Sequence, residues 1–215
     1  VDGRGNLDMD AYKAALGPDV AIVSIMWANN ETGTIFPIEE LATLAKASGA
    51  VFHTDAVQAV GKIPMTLANS AVDMLSLSGH KLHAPKGIGA LYVKRGLRFR
   101  PMLRGGHQER SRRAGTENAP GIVGLGAAAQ LALLHMTDEN TRVKALRDKL
   151  ETAILAAVPN CFVTGNPANR LPNTCNVAFE YIEGEAILLL LNEAGIAASS
   201  GSACTSGSLE PRHAM

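Results

Sequence analysis

Short strand-like runs alternate with helical stretches through the first half of this chain, and that alternation constrains the fold more than any other feature. Val20–Met26 (VAIVSIM) is apolar and β-branched, which reads as a buried strand. Residues 37–47 (PIEELATLAKA) begin with Pro, carry two Glu in the first turn and repeat apolar residues at helical spacing. Further strands are expected at Val51–Thr54, Asp73–Ser78 and Gly89–Val93. Strands separated by helices predict a mostly parallel sheet covered by helices, an α/β fold. Beyond about residue 118 the pattern changes. Helices are expected over 121–135 and 139–158, strands over 161–164 and 176–179, a helix over 185–193 and a last strand over 196–199. The expected organisation is a large α/β domain over residues 1–137 and a smaller α+β domain over 138–215, both partial.

Composition excludes several functions. The 215 residues are 47% hydrophobic and carry 20 basic against 20 acidic side chains, so the chain is not disordered. With no net charge it offers no global field to a phosphate backbone, and no nucleic-acid partner is expected. Its apolar runs, Ala186–Leu191 among the longest, are far short of the roughly twenty residues that span a bilayer, so no membrane is expected either. Cys161, Cys175 and Cys204 are odd in number and lack metal spacing, which points to a reducing compartment, the cytoplasm. The chain does not begin with Met and stops at Met215 after Pro-Arg-His-Ala, so both ends read as cut.

The candidate chemistry gathers at strand ends. Ligands in open α/β sheets bind outside the carboxyl ends of the strands. Ser76-Leu-Ser-Gly-His-Lys81 puts a lysine there, and its amine suits covalent capture of a carbonyl cofactor. Alone, Lys81 is also compatible with a surface loop. His53-Thr-Asp55-Ala-Val-Gln58 places Asp55 at the same edge. A carboxylate there is the expected partner of a pyridinium nitrogen, worth about 4 kcal/mol at roughly 4 Å and an effective dielectric of about 20. Asp55 is equally suited to capping a helix. Asn29-Asn30-Glu-Thr-Gly33 ends the first strand, where an Asn or Gln58 amide suits a ring oxygen; Asn and Gly also favour plain turns. Residues 104–116, rich in Arg and Gly, suit a phosphate or solvent. Residues 199–208 (SSGSACTSGS) read as a mobile loop presenting the Cys204 thiol, or as a linker with an incidental cysteine. Cys161 and Cys175 are expected to be packing residues in strands.

Together MWANNETG (26–33), FHTDAVQAVGK (52–62), SLSGHKLHAPKGIGALY (76–92), RGGHQER (104–110), RRAGTEN (112–118) and SSGSACTSGSLEP (199–211) resemble the cysteine desulfurases. These belong to the fold-type I enzymes that use pyridoxal 5′-phosphate (PLP), and the similarity is to their nitrogen-fixation type. The resemblance implies a PLP-dependent enzyme that takes sulfur from L-cysteine, leaves L-alanine and holds the sulfur as a persulfide. Lys81 would bond to PLP and serve as catalytic base. Asp55 would pair with the pyridine nitrogen, and Asn30 and Gln58 would contact the ring hydroxyl side. Ser78 and His80 would hold the phosphate, and Thr116 would reach the phosphate of the neighbouring subunit in a homodimer. Cys204 would be the second catalytic residue, accepting the sulfur and acting through its persulfide as a transient ligand to a nascent iron–sulfur cluster. The implied acceptor is an iron–sulfur scaffold protein serving nitrogenase. In this family more of the phosphate cup and a ring-stacking His precede the region covered here, and a substrate-binding Arg follows it. Two other readings stay open: another PLP enzyme of this fold, such as an aminotransferase, for which Cys204 has no use, and a non-catalytic binding fragment.

Overall fold

The computed structural model describes residues 1–200. The described residues divide into two compact units, one of residues 10–27 and 37–137, the other of residues 1–9, 28–36 and 138–200.

The first unit is built on a four-stranded sheet of β1 (Ile22–Met26), β2 (Val51–Asp55), β3 (Met74–Ser78) and β4 (Gly89–Val93), in that spatial order. The first three strands run parallel and β4 turns back antiparallel, so the expected mostly parallel sheet is present. The short helix Met9–Ala15 (α1) precedes β1, and α2 (Ile38–Ala47) precedes β2. α2 buries Ile38, Leu41, Ala42 and Ala45, the i, i+3, i+4, i+7 stripe of an amphipathic helix. It packs on β2, whose Phe52 and Thr54 are fully buried. Each fully buried Leu, Ile or Phe here contributes about 1.5–3 kcal/mol. The opposite face of β1–β4 presents Ile22, Ser24, His53, Asp55, Ser76 and Leu91, and its apolar members Ile22 and Leu91 are exposed. Asn118 caps α3 (Ala119–Leu134) by accepting the Gly121 amide at 3.1 Å, with Pro120 in the first turn.

The second unit holds a two-stranded antiparallel sheet of β5 (Cys161–Val163) and β6 (Val177–Phe179), with helices α4 (Lys144–Ala157) and α5 (Gly184–Glu193). The helix expected over 139–158 begins as a wider π turn, Glu139–Val143, and then runs on as α4. Buried Arg147 donates to the carbonyls of Leu171 and Thr174, both at 3.1 Å, and Arg170 pairs with Glu151 at 2.7 Å. No strand forms over 196–199. Gly195 takes a left-handed φ of 75° and the Ile196 amide bonds back to Leu191 O at 2.8 Å, so this backbone closes α5 instead of pairing. Cys175 also lies outside a strand, in the segment before β6. Among the described residues no single helix is long and apolar enough to cross a membrane.

Candidate active site

Parallel strands bring their carboxyl ends to one edge, and the first unit places most of the expected residues there. Asp55 is the last residue of β2 and Ser78 the last of β3. The ladder continues past both ends: Trp27 N donates to Asp55 O at 2.8 Å, and Ala56 N to Ser76 O at 2.9 Å. Asp55 is exposed, and its Oδ1 accepts the Val57 amide at 2.9 Å. Asp55 therefore caps no helix; its side chain closes the turn that begins at Ala56, and among the described residues one of its two oxygens is engaged. Gln58 lies half-buried in that turn.

After Ser78 the backbone winds into a single 3-10 turn, Gly79–Leu82. Gly79 N donates to Ile88 O at 2.9 Å and Ala84 N to Gly79 O at 3.0 Å, which ties both ends of the connection from β3 to β4. Ser78 Oγ and His80 Nδ1 are 2.7 Å apart. If the hydroxyl donates, the neutral ring keeps a free Nε2–H; if Nδ1–H donates, the hydroxyl proton is free. Either arrangement presents one proton donor to an anion. Lys81 is exposed and makes no hydrogen bond or ion pair with any described residue, so its amine is available.

This turn is built tightly. A Cβ on Gly79 would lie 2.7 Å from Ile88 Cγ2 and 3.1 Å from Ala84 Cβ, and one on Gly89 would lie 2.6 Å from the Leu77 carbonyl oxygen. Gly89 pairs in register with Ser78, so any displacement there moves the Ser78–Lys81 turn. Gly89→Ala is expected to cost about 1–3 kcal/mol of stability, because backbone rather than a flexible side chain must yield. Thermal unfolding of wild type and variant checks this; equal midpoints would contradict the packing account.

One group missed in the sequence joins these. His53, half-buried on β2, bonds through Nδ1 to Ser24 Oγ on β1 at 2.7 Å and through Nε2 to Ser76 Oγ on β3 at 2.8 Å. Burial lowers its pKa below the ordinary value, against the smaller opposing pull of Asp55. The His-x-Asp spacing on one strand was the available signal, since residues i and i+2 share a face.

The remaining expectations fall elsewhere. Thr116 is exposed in the segment leading into α3, with no hydrogen bond to the Ser78–Lys81 turn. Upstream of it Glu109, Arg110 and Ser111 all take left-handed φ. Asn30 belongs to the second unit, exposed in a turn where Asn29 Oδ1 accepts the amides of Glu31 and Thr32, each at 2.8 Å. Cys204, expected as sulfur acceptor and transient cluster ligand, lies outside the described residues. Cys161 Sγ donates to Val158 O at 3.1 Å. Burial pushes the Cys175 thiol up, and the charge of Glu151 pushes it further, which keeps it protonated. No cluster of His, Cys, Asp or Glu among the described residues suits a metal ion.

Known proteins are similar in sequence to this chain along its whole length. A profile of the family described as aminotransferase class-V matches residues 1–215. A cysteine desulfurase of Azospirillum brasilense is 81% identical over 216 residues, covering 100% of this chain and 54% of that protein. The cysteine desulfurase NifS of Azotobacter vinelandii is 72% identical over 215 residues, with the same coverage. The chain therefore spans about half the length of the curated relatives it matches. A solved structure described as a NifS-like protein superposes with a TM-score of 0.88 at 38% identity, over 93% of this chain and 55% of that one. The fold is the fold-type I α/β architecture expected from the sequence, here in part.

Proposed function

This chain belongs to the class-V aminotransferase family, and we propose that the protein carrying it is a PLP-dependent cysteine desulfurase. The observation that carries the reading is the donor set at one sheet edge: a free amine on Lys81, a half-engaged carboxylate on Asp55 and the bonded Ser78–His80 pair. These groups match the three chemical handles of PLP, an aldehyde, a basic ring nitrogen and a phosphate. The identity to proteins named cysteine desulfurase supports the choice within the family.

Lys81 would hold the aldehyde, and Asp55 Oδ2 would pair with the ring nitrogen. The Ser78–His80 donor would meet a phosphate oxygen, joined by Thr116 of a second copy of this chain in a homodimer. Asn30 and Gln58 would contact the ring hydroxyl side. When bound, PLP supplies an electrophile for the substrate amine and a ring that stores the Cα electron pair. Lys81, released by the amine of L-cysteine, would take the Cα proton as general base. The Cys204 thiolate would then attack the substrate sulfur, breaking its bond to carbon and leaving L-alanine and a Cys204 persulfide. A further thiol on an iron–sulfur scaffold would collect that sulfur, for nitrogenase in the cytoplasm, with the persulfide a passing cluster ligand.

The test is product identity. With L-cysteine and a reducing thiol, the protein that carries this chain is expected to form alanine and sulfide in equal amounts. Pyruvate and ammonia in place of alanine would indicate elimination and contradict the reading.

A further inference from the structure

We propose that His53 is a positioning residue for Asp55, a neutral imidazole clamped across three strands so that the Asp55 carboxylate stays available to the cofactor. This rests on the reading above, in which Asp55 meets PLP. Both ring nitrogens are committed, to Ser24 at 2.7 Å and to Ser76 at 2.8 Å, so the ring plane is fixed. A neutral imidazole has one donor and one acceptor, and a serine hydroxyl satisfies either, so the Ser24–His53–Ser76 chain closes without a charge. The same Ser76 is the register partner of Asp55, two residues along β2 on the same face. The clamp thus pins β1 and β3 to β2 directly behind the carboxylate. On the carboxylate itself, the Val57 amide holds Oδ1 and leaves Oδ2.

Charge gives the clamp its consequence. On this face β1 brings Ile22, Ser24 and Met26, and β3 brings Met74, Ser76 and Ser78, none of them ionisable. Among the described residues Asp55 is the charged group acting on His53. A neutral His53 leaves the Asp55 charge for a ring cation, whereas an imidazolium beside it would compete. Burial, the larger influence on His53, favours the neutral form. PLP binding is therefore expected to weaken on acidification below the ordinary histidine value of 6.5.

The experiment measures PLP affinity by equilibrium dialysis of the apo form of the protein that carries this chain, at about pH 8 and about pH 5.5, on either side of an ordinary histidine titration. His53→Phe fills the space without bonding either serine and is expected to bind PLP about tenfold more weakly at the higher pH. His53→Gln keeps a donor and an acceptor but does not titrate. It should recover part of that loss, and its affinity should fall less than wild type on acidification. Nitrogen-15 shifts of the imidazole in wild type should show a neutral tautomer at the higher pH. Wild-type affinity and a wild-type acid fall in His53→Gln would overturn the proposal even if His53→Phe failed to fold, as would an imidazolium at the higher pH. Intact capture of PLP by Lys81 alongside those results would leave the PLP site standing. A wild-type protein that binds no PLP would sink the site and the proposal together.

Discussion

Lys81→Ala is expected to leave the protein that carries this chain without covalently held PLP and without turnover. The amine stands exposed on a turn, Gly79–Leu82, tied by Gly79 and Ala84 backbone bonds, with no described partner competing for it. Two roles converge on it, fixing the aldehyde and moving the Cα proton. Loss of a general base alone lowers rates by about 10²–10⁴-fold. Borohydride reduction followed by peptide mapping reads the covalent role directly. Wild type should carry PLP on Lys81 and the variant on no lysine. PLP reduced onto Lys86 or another lysine in either protein would contradict the assignment.

Cys204→Ala is expected to separate binding from sulfur transfer. PLP binding should persist, since Lys81, Asp55 and the Ser78–His80 pair make the site. Sulfur release from L-cysteine should be lost, because alanine at this position offers no thiolate to attack the substrate sulfur. The other two thiols are poor substitutes. Cys175 is held protonated by burial and by Glu151, and Cys161 is bonded to the Val158 carbonyl. Sulfide formation at the wild-type rate by Cys204→Ala would contradict the assignment.

The first unit was the more legible in the sequence, for a physical reason. Its strands are short runs flanked by turn residues; β2 extends one residue beyond its expected end and β4 has the expected limits. The strand-end rule then put Asp55, Ser78 and Lys81 at one edge without any knowledge of contacts. The His53 clamp was not legible, because its partners lie 29 and 23 residues away along the chain and become neighbours only through strand register. The second unit drew on residues 1–9 and 28–36 as well as the chain beyond 137, a union of segments that periodicity does not reveal. Ile196 is similar: an apolar run beside Gly195 looks like a strand, but the helix end claims its amide.

Mass-spectrometric mapping of persulfide after a single turnover with L-cysteine tests the central claim most directly. The protein that carries this chain should hold one added sulfur on Cys204 and release one alanine per active site. Added sulfur on Cys161 or Cys175, with Cys204 unmodified, would contradict it.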